Sequence, residues 1–329
     1  ALGQLGDPGA VSQSAFPVPS AGGTSFSLLV AGTDHVCGIA ADGTALCWGS
    51  NSRGQLGGGR VGPTPAATPV PVTGGRSYTA LAAGARHSCG VAADGAAWCW
   101  GDNNSGQLGD GSTRGGATPR RVAGGLKFTA LAAGDEHTCG LTGAGKVHCW
   151  GDGFSGQLGR GVRESALEPA AVDAAGKFTA IAAGARHTCA LEQGGKVFCW
   201  GTNDMGQLGD GSKSERPSPV AVATRTTFTS LTAGLAHTCA LTAAGEAYCW
   251  GRNRDGQLGD GSRVDRPAPA RVGIDAPLGA VSAGSRHTCA LTRADEAVCW
   301  GQNLKGQLGD GTTETRATPG PVKGQSEGS

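Results

Sequence analysis

The sequence has no apolar stretch approaching the roughly 18 residues that a membrane span requires. Charge of one sign does not gather anywhere either: 27 lysines and arginines stand against 26 aspartates and glutamates, with no run of like residues. Nothing therefore steers the surface toward phosphate backbones or anionic lipid, and neither nucleic acid nor membrane insertion is expected. The start, ALGQLGDPGA, lacks the basic head and apolar run of a signal peptide. It reads as the tail of a repeat whose beginning is absent, so the expectation is a cut or processed chain whose missing segment could include an export signal. Glycine, at 60 of 329 residues, shows no G-X-Y period; collagen is excluded and the glycines mark turns.

What the chain does have is repetition. A histidine two residues before a cysteine recurs at His35, His87, His137, His187, His237 and His287, spaced by 52 residues once and then by 50. The tail G-Q-L-G begins at Gly3, Gly54, Gly106, Gly156, Gly206, Gly256 and Gly306. A period of this size, running from end to end, is the signature of a propeller, solenoid or array and argues for a single body. In residues 118–159 four short β-compatible runs, near Pro119–Val122, Phe128–Ala132, His137–Thr142 and Lys146–Trp150, are separated by Gly-rich turns, with no amphipathic stretch long enough for a helix. Four strands per repeat is the arithmetic of a propeller blade. The expected fold is an all-β propeller of four-stranded blades with six complete repeats. Residues 1–24 form a partial repeat tail and outer strand, 25–322 the propeller and 323–329 a flexible tail. A spare outer strand is expected near Phe16–Pro19 and another near Thr318–Val322, and the ring can be six- or seven-bladed.

The hairpin between the third and fourth runs fixes the cysteines. Glycine is the third residue of a three-residue loop in five copies, as in Ala41-Asp42-Gly43, and Asp295 takes that place in the sixth. A type I turn followed by a left-handed residue makes positions equidistant from the loop centre face each other. The pairs Cys37–Cys47, Cys89–Cys99, Cys139–Cys149, Cys189–Cys199, Cys239–Cys249 and Cys289–Cys299 then lie opposite at non-hydrogen-bonded positions, where Cα atoms approach to about 4.5 Å. Disulfides fit this arrangement, and so do paired thiols acting as small core residues. A zinc site lacks a second knuckle, and a dithiol oxidoreductase lacks a helix N-terminus to acidify a thiol. If the disulfides form, the compartment is oxidising.

A histidine beside a cysteine is how cysteine nucleophiles are built, yet six copies of one constellation imply a structural duty, with a ring nitrogen bonded to backbone of the same or an adjacent blade. Trp48, Trp100, Trp150, Trp200, Trp250 and Trp300 follow the second cysteine in each copy and are expected as packing wedges between blades. The loop GQLGDGS lacks the Lys-Ser/Thr ending of a P-loop and the final Glu of an EF-hand; its Gly and Asp set a turn, its Gln bonds backbone and its Leu fills the space below. No metal and no cofactor are expected.

The combination A-G-x-x-H-x-C-x-L, a hairpin, then W-G-x-N-x-x-G-Q-L-G-D-G resembles the repeat of the regulator of chromosome condensation (RCC1-like) family over essentially the whole chain, with Gly153 replacing the usual Asn in the third copy. The resemblance implies a β-propeller, usually seven-bladed, and a family diverse in function: a nuclear exchange factor for a small GTPase, ligase-associated propellers, a plant ultraviolet receptor and secreted bacterial inhibitors of β-lactamase. Six of the seven tryptophans sit at the repeat position, which does not match a receptor's tryptophan cluster, and the basic tail of the exchange factor is missing. The secreted bacterial members suit paired cysteines, but the loop before each histidine carries no aromatic residue, so lactamase inhibition is not supported.

That loop is where copies differ while their neighbours do not. Its second residue is Asp34, Arg86, Glu136, Arg186, Ala236 or Arg286, and Asp135 precedes Glu136. Variable side chains on a repeated scaffold describe a binding face, and Asp34, Arg86, Asp135, Glu136, Arg186 and Arg286 are its candidates, with plain solvated loop positions as the alternative. The expected function is an extracellular or cell-envelope propeller that binds a protein partner and has no catalytic activity of its own. The alternatives are an intracellular GTPase exchange factor or adaptor, and a glycan-binding or glycan-processing propeller using the Asp135–Glu136 pair.

Overall fold

Short β-branched and alanine-rich runs cut by glycine turns can only bury their apolar faces by stacking sheets, and they do so radially. In the computed structural model, which describes residues 3–7, 13–19 and 23–324, the described residues form six four-stranded antiparallel sheets. The first blade comprises β1 (Phe26–Ala31), β2 (His35–Ala40), β3 (Ala45–Gly49) and β4 (Ala66–Pro71). The order repeats through β5 (Tyr78–Ala83) to β8 (Gly116–Arg121), β9 (Phe128–Ala133) to β12 (Ala166–Ala171) and so on to the sixth blade. That blade holds β21 (Leu278–Ala283), β22 (His287–Thr292), β23 (Ala297–Gly301) and β24 (Arg316–Pro321). The first strand of each blade lines a central channel of about 670 Å³. The expected tail lies partly outside the described residues, as do residues 1–2, 8–12 and 20–22 of the expected N-terminal segment.

The blade frame differs from the one read in sequence. The run at Pro119–Val122 belongs to β8, the outermost strand of the second blade, and the third blade takes its outermost strand from beyond its own G-Q-L-G tail, with Cys149 opposite Ala170. Thr318–Val322 is therefore not spare: β24 pairs with β23, with Cys299 opposite Gly320, and completes the sixth blade. Phe16–Pro19 forms no strand. The physical reason is that a meander pairs each strand with its predecessor, so the long loop leads outward rather than on to a new blade.

The hairpins follow the expected geometry. Cys37 lies opposite Cys47, and each of the other pairs is in the same register. All six are disulfides with Cα atoms 4.0 to 4.1 Å apart. Asp295 adopts a φ of 60°, the left-handed conformation that glycine takes in the other five loops. Among the described residues the core is five clusters, each lying between one blade and the next. In the first of these, Ile39, Cys47 and Leu56 pack against Tyr78, Leu81 and Trp100 of the following blade.

Candidate functional site

The loop joining the first two strands of a blade and the loop after its third strand open on the same side of the ring, because His35 pairs with Gly49 at the ends of β2 and β3. A backbone bond couples them in every blade: the amide of Asp102 donates to Arg86 O at 2.9 Å and that of Asp152 to Glu136 O at 2.8 Å. The first residue of the variable pair turns inward, so Thr33, Ala85, Asp135, Ala185, Leu235 and Ser285 line the channel mouth. The second turns away from the channel in the first five blades, leaving Arg86, Glu136 and Arg186 exposed and Asp34 half-buried, whereas Arg286 of the sixth, also half-buried, borders the channel.

The six candidates are thus distributed around the channel, and only part of them meet. Asp135 and Arg186 interact electrostatically across the third and fourth blades. Burial pushes the Asp135 carboxyl up, with Arg186 opposing and Glu136 adding to the rise. Glu136 accepts a hydrogen bond from Ser105 Oγ of the second blade at 3.0 Å. Asp34, Arg86 and Arg286 stand apart, one per blade. Sequence reasoning missed the second loop, where Phe154 is 72 % exposed and Leu304 63 % exposed. The residues after W-G-x-N, namely Ser52-Arg53, Asn104-Ser105, Phe154-Ser155, Asp204-Met205, Arg254-Asp255 and Leu304-Lys305, vary as freely as the pair that was singled out. Together the loops give an uneven face: Asp102, Asp135, Glu136 and Asp152 against Arg86 in blades two and three, and Arg252, Arg254, Arg286 and Lys305 against Asp255 in blades five and six.

Beneath the face lies a belt that is nearly uniform, with Val36 in place of the Ser or Thr of the other five copies. His35, His87, His137 and His187 are fully or almost fully buried, as is His237. The expected backbone partner is corrected here: each Nε2 meets a side-chain hydroxyl of the next blade, at 2.7 Å for His35–Ser88, 2.8 Å for His87–Thr138 and 3.0 Å for His237–Thr288. Each hydroxyl donates its own proton to the carbonyl of the glutamine in the preceding tail, as Thr138 does to Gln107 O at 2.9 Å. It must therefore accept from the ring, which fixes the neutral tautomer with the proton on Nε2. Nδ1 has no partner in these five histidines, and burial holds their pKa values at about 3 to 4. The same glutamine carbonyl accepts the indole proton, Trp100 to Gln55 O at 2.9 Å and Trp150 to Gln107 O at 2.9 Å. Trp100, Trp150, Trp200, Trp250 and Trp300 are wedged between blades as expected, while Trp48, also buried, donates its indole proton to Gln4 O of the N-terminal segment at 3.0 Å. These groups are scaffold: their donors and acceptors are spent on each other, and the histidines are not poised beside a free thiol. His148 is half-buried and meets the edge of Phe128.

The face is held up by one further network. Asn203 donates to Ser214 O at 3.0 Å, while its Oδ1 accepts from Leu208 N at 3.0 Å. An Asn203→Ala variant leaves the buried Leu208 amide unpaired and is expected to lose about 2 kcal/mol of unfolding free energy, measured by urea denaturation. A second expected result concerns the sixth blade. Cys289 borders the channel whereas its five counterparts are fully buried. Limited reduction followed by alkylation and peptide mapping should open Cys289–Cys299 before any other disulfide. Among the described residues no group of His, Cys, Asp and Glu is placed to hold a metal ion.

The RCC1-like domain family model matches residues 1–328. The human probable E3 ubiquitin-protein ligase HERC3 is 43 % identical over 79 residues, which is 24 % of this chain and 8 % of that protein, so the match spans a small part of that relative. Human WBSCR16 has the same fold, with a TM-score of 0.86 at 22 % identity over 98 % of this chain and 93 % of its own. Prp20p from Saccharomyces cerevisiae, whose structure is described together with binding properties to Gsp1p and histones, superposes with a TM-score of 0.79 at 26 % identity, covering 91 % of this chain and 77 % of that one.

Proposed function

We propose that this chain, which belongs to the RCC1-like domain family, is a protein-binding propeller that acts outside the cell or at its envelope and has no catalytic activity of its own. The observation that carries the reading is the contrast between belt and face. The histidine, hydroxyl, glutamine and tryptophan groups of the belt recur blade after blade in one bonded arrangement, while the loops directly above them differ in every blade. An exposed phenylalanine set among arginines and carboxylates matches the composition of protein interfaces, where aromatic residues and arginine are enriched. Six disulfides with no free thiol support an oxidising compartment.

A second reading is favoured by the likeness to Prp20p: an intracellular exchange factor or adaptor acting on a GTPase. Counting thiols separates the two. Protein taken from its native source and alkylated in denaturant without reductant should gain no adducts, whereas twelve adducts would put the intracellular reading first. For the face itself, Phe154→Ser and Arg186→Glu are each expected to weaken partner binding by more than tenfold. The melting temperature should shift by no more than a few degrees, since both side chains are exposed. Equal binding by both variants would place the interface elsewhere on the propeller.

A further inference from the structure

We propose that the mouth of the central channel receives the side chain of a lysine from the protein that docks on the loop face, with its ammonium group against Asp135 and its alkyl stem along Ala185 and Leu235. The inference deepens the protein-binding reading and rests on it.

The mouth is built before anything binds. The amide of Asp135 donates to Ala185 O, that of Ala185 to Leu235 O and that of Leu235 to Ser285 O, each at 3.1 Å. These bonds join the first loops of the third, fourth, fifth and sixth blades into one backbone hoop at the rim. A hoop fixes the side chains it carries, so little ordering is left to be done when a ligand enters.

One side chain on this rim breaks the pattern. At the same place the other blades have Thr33, Ala85, Ala185, Leu235 and Ser285, so the scaffold itself has no need of a carboxylate there. From the first five blades the channel is lined by glycine, alanine and branched apolar residues, with hydroxyls at Thr33 and Thr232, and Asp135 is the one charged side chain among them. Arg286 and His287 border the channel from the sixth blade, three blades farther round the ring. A cation entering the mouth is therefore drawn to the third-blade side.

Asp135 has no close partner of its own. Among the described residues its carboxylate enters no hydrogen bond or ion pair, whereas Asp110, Asp210, Asp260 and Asp310 each lie within 3.5 Å of an arginine nitrogen. Burial disfavours its charged form most, Arg186 opposes that from beyond ion-pair distance, and Glu136 adds to the burial. A carboxylate withdrawn from water without a close counter-charge carries a desolvation cost that a bound cation removes, and such groups gather at functional sites.

Lysine suits the mouth better than arginine. Its ammonium is a compact charge that one carboxylate satisfies, and its stem of four carbons matches a wall of alanine and leucine. A guanidinium would call for further acceptors, and the carbonyls of Ala185, Leu235 and Ser285 already accept the hoop bonds. The source is a protein because one ion pair at an open mouth is a weak contact. The exposed Phe154, in the neighbouring loop of the same blade, supplies further contact that only a macromolecule can use.

The test titrates the folded chain with a blocked tripeptide, acetyl-Gly-Lys-Gly-amide, and follows the backbone amide chemical shifts of isotope-labelled protein. The peptide is expected to move the amides of Gly134, Asp135, Gly184 and Leu235 with a Kd on the order of 1 mM. Replacing its lysine by ε-acetyl-lysine or norleucine, which keep the stem and lack the charge, should weaken binding at least tenfold. Asp135→Asn keeps the backbone hoop and should weaken the lysine peptide by the same factor while leaving the two uncharged peptides as they were. Equal affinity for the lysine and norleucine peptides would overturn the proposal. So would shifts that miss these four amides or survive Asp135→Asn, or no shift at all at about ten times that Kd. The peptide meets the propeller alone, so any of these failures removes the lysine site and leaves the protein-binding reading to its own test with Phe154→Ser and Arg186→Glu.

Discussion

Refolding in the presence of a strong reductant is expected to fail, while the same denatured chain should refold when the disulfides are allowed to form. Each disulfide joins cysteines 10 residues apart, and constraining a loop of that size in the unfolded chain contributes about 2 to 3 kcal/mol. Six of them sum to the order of 15 kcal/mol, as large as the whole net stability of a typical domain, which is about 5 to 15 kcal/mol. The disulfide cysteines are themselves part of the interblade clusters, so loss of the staples acts on the core directly. The check is circular dichroism and tryptophan fluorescence on the refolded samples, which report the fold and the burial of the six indoles separately. Native signals from the fully reduced chain would show that the cysteines act as core residues rather than staples, and the case for an oxidising compartment would lose its main physical support.

Much of this was written in local sequence. The cysteine register followed from a three-residue loop, and Asp295 in the left-handed region was predictable because the turn demands it whatever the rest of the chain does. The tryptophan wedges followed from repetition alone. What escaped was long-range. Histidine and hydroxyl partners sit 51 to 53 residues apart, so no window shorter than a repeat could join them, though a Ser or Thr between His and Cys in five of six copies was a visible signal. The blade frame was shifted by one strand for the same reason: a repeat has no inherent start, and only the pairing of β11 (Val147–Gly151) with β12 shows to which blade the outer strand belongs. On the face, the loop with Phe154 and Leu304 was not legible because its variable residues stand directly before the repeated G-Q-L-G tail, and only the pairing of the strands brings them beside the loop that precedes the histidine.

Acid should unfold this propeller earlier than its carboxylates alone would. The five belt histidines have pKa values of about 3 to 4 in the fold, against 6.5 for the ordinary side chain, with burial as the leading cause. A base whose folded pKa is depressed contributes full stability above the unfolded value and loses it as pH falls toward the folded one. The window is therefore pH 6.5 down to about 4. Within it the unfolded chain takes up about five protons that the folded chain refuses, so each pH unit costs on the order of 7 kcal/mol once the unfolded histidines are charged. The refusal has a structural cause: Nε2–H is already committed to a Ser or Thr hydroxyl, and the second proton would have to enter at Nδ1, which is buried without an acceptor. Unfolding free energy measured against pH between 7 and 4.5 should fall steeply. A His187→Gln variant, which retains a donor toward Thr188's neighbour in the next blade, Thr238, without titrating, should flatten the slope by the equivalent of one proton. A profile that stays level down to pH 5 would mean that the belt accepts protons in the folded state, and the tautomer assigned from the hydroxyl–glutamine bonds would have to be abandoned.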